Sequence, residues 1–415
     1  LPYKLLEMGM DRDHFIIIVY YFGTVERTGS RRWREMAQLL REHGQVTVIC
    51  ADGGCEDCDD IEIIQVPDTL SSCGSSVFSG RSQMGFLSTW LRRVASSFLF
   101  WPDRQRTWSR QAVARLNTLL DPRSRNIVVT SGPIFSVHSE MQRWVSINPD
   151  RALWVLDFRD LWTNEIAPGL QRRIPAFLSL FERPMEQRCH DTADVVTTVG
   201  EELALLLKKD FGGSPTVLYN GYLNKPSPEV VDFSHPLAIR YLGTIIPSLR
   251  SPKLLFQAAA EMQLTSKEIC FEFWCNDSAR VINEAVVAGV PDLVKCHGAV
   301  SQTEARRQSL SAGANIILNA LVPESDQVVT GKVFELIAMG RPVLAVTGQG
   351  SELRKILASC GMPNCIWDRE TASLALKALL TGHLTPPNDS GGRFSRQRSV
   401  AIFCKTLQGL PKAKI

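Results

Sequence analysis

The sequence predicts an α/β protein of two doubly wound, Rossmann-like lobes that face each other across a cleft. Three observations carry this. Short apolar runs rich in β-branched residues alternate with helical periodicity, as in parallel βαβ units. The alternation stops in "LNKPSPEVVDFSHP" (223–236), a proline- and serine-rich stretch that reads as a linker, and then restarts. The 415 residues exceed what one core supports.

Strands of the first half are expected at "HFIIIVYYF" (14–22), "QVTVICA" (45–51), "IEIIQVP" (61–67), "NIVVTSG" (126–132), "ALWVLDF" (152–158) and "ADVVTTVG" (193–200), with "TVLYNGY" (216–222) at its end. Between the first two, "RRWREMAQLLREHG" has apolar residues at helical spacing, and Gly44 reads as its C-terminal stop. After the linker come "LAIRYLGT" (237–244), "ICFEFWC" (269–275), "LVKCHGAV" (293–300), "ANIILNA" (314–320) and "RPVLAVTG" (341–348), with "NCIWD" (364–368) a further candidate. The first lobe then spans 1–225 and the second 226–393. A final helix within 394–415, basic on one side, packs back or bridges.

The balance of 46 basic and 43 acidic residues, net +3, gives no general case for nucleic-acid binding. The 11 cysteines mostly sit in apolar contexts, which suits reduced thiols in a cytoplasmic protein. Cys55 and Cys58 form one C-x-x-C in an acidic loop that reads as exposed. A zinc site wants a second ligand pair, and no metal is expected. No run is long enough to span a bilayer and no signal peptide is visible, so any membrane role is peripheral.

Open α/β sheets bind ligands beyond the carboxyl ends of their strands, so residues just after strands weigh most. In "VVTGKVFELIAMGRPVLAV" (328–346), Thr330, Gly331 and Lys332 precede or open a helix and Glu335 lies one turn on. Helix N-terminal amides and Lys332 suit a phosphate, and a carboxylate at Glu335 suits sugar hydroxyls. A capped helix with a surface Lys–Glu pair fits the same residues equally well. Gly243 and Thr244 end a strand, and Arg250 and Lys253 follow in a loop that fits a diphosphate or simply solvated charge. His297 and Val300 sit on a turn after a strand, where backbone groups can meet a base edge. In the first half, Asp157, Arg159 and Asp160 follow an apolar strand directly, which is costly unless they pair or face the cleft. Gly23 lies in a loop that holds an acceptor or only connects. His138 follows "TSGPIFSV" and is a candidate acid, base or polar contact, against the commoner role of a satisfied structural histidine.

Taken in order, Pro102-Asp103 with Trp108, 130–138, 157–163, 186–200, Asn220-Gly221, 241–244, 297–300, 331–345 and 394–396 resemble the motif series of GT-B glycosyltransferases. The resemblance is to the large retaining family 4, in its bacterial surface-polysaccharide branch. It implies a second lobe that binds a nucleotide-diphosphate sugar, UDP- or GDP-linked. Arg250 or Lys253 with Lys332 would steady the diphosphate, and Glu335 would hold the ribose. It implies His138 near the donor sugar, and a first lobe that binds a glycan or lipid-linked acceptor, with Asp157 or Arg159 shaping that side. Catalysis would need no metal or other cofactor and no protein nucleophile. Three positions depart from the family pattern. Gln327 stands where members commonly carry a second Glu, Ile134 replaces a proline, and the first loop is not a compact Gly-Gly turn.

Rival readings on the same scaffold are transfer to a soluble small molecule, a sugar-nucleotide epimerase, and a silent binding protein. Arginines mix with Phe98, Phe100, Trp101 and Trp108 in 88–110, and "QRRIPAFLSLF" (171–181) adds apolar residues. These suit an anionic membrane surface or, equally, an amphipathic core helix with a solvated basic face.

Overall fold

The computed structural model describes residues 13–23, 28–53, 58, 60–68, 101–163, 176–226, 236–247 and 249–410. The first lobe holds a seven-stranded, all-parallel sheet in the order β3-β2-β1-β4-β5-β6-β7. Its strands are β1 (Asp13–Ile18), β2 (Gly44–Cys50), β3 (Glu62–Gln65), β4 (Arg125–Ser131), β5 (Leu153–Phe158), β6 (Val195–Thr198) and β7 (Thr216–Val217). The second lobe holds five parallel strands, β8 (Leu237–Leu242), β9 (Ile269–Trp274), β10 (Val294–His297), β11 (Ala314–Leu318) and β12 (Val343–Val346), in the order β10-β9-β8-β11-β12. Both sheets reverse direction of growth once, between β1 and β4 and between β8 and β11. Those are the points where a crevice opens beyond the strand ends.

The strands are continuous apolar runs because both faces are covered. Phe15, Ile16, Ile17 and Ile18 are all fully buried, with alternate residues entering cores on opposite faces of the sheet. The helices of the first lobe are α1 (Thr28–Leu40), α2 (Arg106–Ala114), α3 (Leu116–Leu119), α4 (Ser136–Ile147), α5 (Ala176–Thr192) and α6 (Glu201–Phe211). In the second half they are α7 (Lys253–Glu261), α8 (Ser278–Ala288), α9 (Gln302–Leu310), α10 (Lys332–Met339), α11 (Glu352–Ser359), α12 (Arg369–Leu380) and α13 (Arg396–Gln408). Helix α13 returns to the first lobe. Its Val400, Phe403 and Leu407 join the core of β1 and α1, with Phe403 ring centroids 6.4 Å from Phe15 and 6.3 Å from Trp33.

Three local expectations change. Helix α1 ends at Leu40, and Gly44 opens β2 instead of stopping the helix. A Cβ there would fall 2.1 Å from the Asp13 carbonyl oxygen, so the glycine allows close strand approach. "NCIWD" contributes a single bridge, Val346 to Ile366, and not a strand. Cys58 is buried and disulfide-bonded, which departs from an exposed loop of reduced thiols; Cys55 lies outside the described residues. Trp108 is a core residue whose indole donates to the Val66 carbonyl at 2.9 Å. Residues 88–100 and 171–175 of the expected membrane face lie outside the described residues. Among the described residues no helix is long and apolar enough to cross a membrane.

Candidate functional site

The reversal point of the second sheet gathers several residues expected at a donor site. Strand β8 ends at Leu242, and Gly243 and Thr244 follow, exposed at its carboxyl edge. Helix α10, which follows β11 on the other side of that point, sends Lys332 back across it. The Lys332 ammonium donates to the Leu242 carbonyl and lies 4.8 Å from the Tyr241 ring centre. Tyr241 donates its hydroxyl to the Thr244 carbonyl at 2.9 Å, and Arg250 Nη1 reaches the same oxygen at 3.3 Å. Lys332 as a residue is half-buried, yet its ammonium is withdrawn from water. Burial lowers its pKa to about 7, with Glu335 opposing and Arg250 assisting.

The start of α10 is open. Gly331 occupies the N-cap and offers no side chain, whereas Asp277, Ser301, Ser351, Asp368 and Ser395 cap α8, α9, α11, α12 and α13. Thr330, half-buried, accepts the Val333 amide through its carbonyl at 3.1 Å. Gly331 lines an interlobe cavity of about 150 Å³ with Arg159, Asp160, Asn220 and Gln327. Glu335 lines neighbouring gaps between the lobes with Arg31 and Tyr222. Residues 331 and 335 therefore face the cleft.

Glu335 is ion-paired with Arg31 of α1, in the other lobe. Arg31 Nε also donates to Glu35 at 2.6 Å, and Glu35 accepts from Arg396 of α13 at 3.0 and 3.1 Å. This chain of charges crosses the cleft. Arg31, Glu35 and Arg396 were not singled out from the sequence, although the paired arginines at the start of α1 and the Phe-Ser-Arg at 394–396 mark their positions.

The remaining donor candidates stand apart from this cluster. Lys253 is exposed at the start of α7, where its amide donates to Ser251 Oγ at 3.2 Å. His297 ends β10, the edge strand beyond β9, and stacks on Trp274 with centroids 4.4 Å apart and planes at 16°. Its Nε2 is buried without a hydrogen-bond partner. Val300 is 41% exposed in the turn that follows.

In the first lobe two expectations need correction, Asp157 on the acceptor side and His138 near the donor sugar. Asp157 is fully buried and does not face the cleft. Its carboxylate accepts from Arg32 Nη2 (3.0 Å), Trp33 Nε1 (3.0 Å), Ser131 Oγ (2.7 Å) and Thr197 Oγ1 (2.7 Å). Burial pushes its pKa upward, but Arg32 and the three neutral donors more than offset that and leave it lowered. It is the buried pin of the first sheet, with no capacity left for a ligand. His138 is 0% exposed in the first turn of α4 and does not reach the cleft. Its Nδ1 pairs with Thr130 Oγ1 at 2.9 Å, and the ring packs against Phe135, Phe158 and Trp162. Burial lowers its pKa to about 3, so the imidazole is neutral. Gly23 donates its amide to Asp52 Oδ1 at 3.2 Å. Arg159 and Asp160 do reach the cleft.

No protein-family model matches the sequence, and no curated protein matches it. Solved structures do match, over both lobes. A glycosyltransferase from Rickettsia africae ESF-5 is 13% identical with TM-score 0.56, covering 97% of this chain and 100% of that one. The apo form of the lipopolysaccharide outer core galactosyltransferase WaaB is 12% identical with TM-score 0.56, covering 95% and 99%. The fold is GT-B. A structure from Listeria monocytogenes assigned as a UDP-N-acetylglucosamine 2-epimerase is 12% identical with TM-score 0.50, covering 97% and 98%. At these identities the likeness is one of fold. Within that GT-B frame, the cluster around Lys332 and Gly331 belongs to the second lobe and Arg159 to the first. A ligand in the cleft would touch both.

Proposed function

We propose that this chain is a glycosyltransferase that moves a sugar from a nucleotide-diphosphate sugar, UDP- or GDP-linked, to a glycan or lipid-linked acceptor. The observation that carries it is the convergence on one strand-end crevice of Lys332, Arg250, the uncapped start of α10 and Glu335. Cations and free amides suit a diphosphate, and a carboxylate one turn along suits the ribose. His297 and Val300 are proposed to meet the base edge, and Lys253 to add charge at the rim. The motif series favours retention and a place in cell-envelope polysaccharide synthesis, with the protein peripheral on the inner membrane face. The leaving diphosphate is stabilised by fixed groups, so positioning and electrostatics supply the catalysis without a resident metal. With His138 buried, Lys332 and Arg250 are the proposed catalytic residues.

Calorimetry with UDP and GDP, and donor turnover with and without membrane extract, test this. Glu335→Ala should weaken nucleotide affinity about 10-fold, as one charged hydroxyl contact is lost. Lys332→Met should lower turnover more than thermal stability. Normal binding and turnover in both variants would leave the crevice structural. The epimerase-like neighbour keeps a second reading in view, and epimerised free donor without acceptor would select it.

A further inference from the structure

Arg159 is a cation that the first lobe brings to the interlobe cavity. It follows β5 directly, so it emerges at the carboxyl edge of the first sheet. The residue is half-buried, and its Nε is sealed from water with no hydrogen-bond partner. Among the described residues it forms no ion pair. The carboxylate two positions back, Asp157, is fully engaged by Arg32, Trp33, Ser131 and Thr197. Arg32 and Asp157 cancel, and the positive charge of Arg159 is left over. Arg32 responds to it: burial lowers the Arg32 pKa, and the nearby Arg159 charge adds to the lowering. Asp160 is exposed and does not pair with it.

Arg159 also lines two cavities at once. One belongs wholly to the first lobe, at its reversal point, between the Ser131–Gly132–Pro133 turn and the rings of Tyr20, Tyr21 and Trp33. The other is the interlobe cavity reached by Gly331. The guanidinium thus stands where an occupant of the first-lobe crevice meets the proposed donor site. A partly desolvated, unpaired guanidinium is costly in the empty protein, and an oxyanion is the ligand that removes the cost with paired hydrogen bonds. The donor diphosphate already has Lys332, Arg250 and the open helix start on its own side.

We infer that Arg159 binds an anionic group on the acceptor, a phosphate or carboxylate close to the hydroxyl that receives the sugar. This rests on the transferase reading above, and it narrows the acceptor to a class: sugar phosphates, phosphate-linked lipid sugars or uronic acids.

The test uses the full chain and the variants Arg159→Gln and Arg159→Lys. Calorimetry with glucose 1-phosphate and methyl glucuronide, against methyl glucoside, reads the site without any donor. Initial rates with the same three and with a polyprenyl-phosphate-linked sugar, at fixed donor, separate free from lipid-borne anions. The anionic member of each pair should bind and react better in the wild type. Arg159→Gln should lower kcat/KM for anionic acceptors about 10- to 100-fold, a charged hydrogen-bond pair lost. The loss for neutral acceptors and for nucleotide affinity should be about 10-fold smaller than for anionic acceptors, and Arg159→Lys should recover part of the anionic loss. Equal handling of charged and neutral acceptors by the wild type overturns the inference. So does an Arg159→Gln loss that falls on nucleotide affinity, which would place the residue on the donor. If anions bind through Arg159 but no donor is bound or turned over, the anion site stands and the transferase reading fails.

Discussion

Lys332 is the residue whose chemistry is most exposed to experiment. Burial lowers its pKa to about 7 in the empty site, so above that pH the neutral amine dominates. A diphosphate nearby favours the charged form, and binding then draws a proton in. Nucleoside diphosphate affinity is therefore expected to fall as pH rises from about 7.5 to 9. Calorimetry in buffers of unequal ionisation heat should show uptake approaching about one proton, absent in Lys332→Met. Affinity that is flat with pH, with no proton exchanged, would remove Lys332 from the diphosphate. At this scale the sequence was readable only in part. Gly331, Lys332 and Glu335 announce themselves because they are consecutive or one turn apart, and a helix places such residues on one side. Asp157 does not. Its partners lie on α1, β4 and β6, and nothing local distinguishes a carboxylate turned toward a helix and two strands from one turned toward a ligand. His138 misled for the same reason, since its aromatic cage is assembled from the N-cap residue of α4, β5 and the segment after β5.

Between elements, one contact that sets the lobes against each other is a carboxylate seated on a helix start. Glu352, the first residue of α11, accepts the Glu201 amide at 2.5 Å and the Glu202 amide at 3.1 Å, at the beginning of α6. Helix α6 has no side-chain cap of its own, so the second lobe supplies the missing acceptor and an anion that suits the helix dipole. Gly200 makes room: a Cβ there would fall 2.5 Å from Glu352 Oε2. Lys355, one turn further along α11, pairs with Glu202. Glu352→Ala is expected to cost about 1–3 kcal/mol in denaturant unfolding and to enlarge the radius of gyration in small-angle scattering. Gly200→Ala should act in the same direction, and an unchanged scattering profile in both would show that other contacts hold the lobes. The elements themselves were largely legible, because strands buried on both faces must be continuous apolar runs. "NCIWD" satisfied that rule and still made only one bridge, since a short apolar run does not reveal how many residues find a neighbour.

At the scale of the molecule, the two parallel sheets follow from the repeated alternation in the sequence, while their strand order and the cross-lobe charges from Glu335 through Arg31 and Glu35 to Arg396 do not. Arg31–Glu335 spans 304 positions and Glu35–Arg396 spans 361, and no pattern in one chain signals such pairs. Helix α13 carries the largest expected effect. A chain shortened to end at residue 393 loses Val400, Phe403 and Leu407 from the first-lobe core and leaves Glu35 without Arg396. Hydrogen exchange should show the strands around β1 losing protection while β8 and β11 keep theirs; equal protection in both chains would make α13 an ornament. The return of α13 also bears on biosynthesis. A ribosome releases the first lobe while its closing wall is still unmade. Until the whole second lobe has been translated, Phe15 and Trp33 lie beneath an open face, a window in which a holdase would find its client.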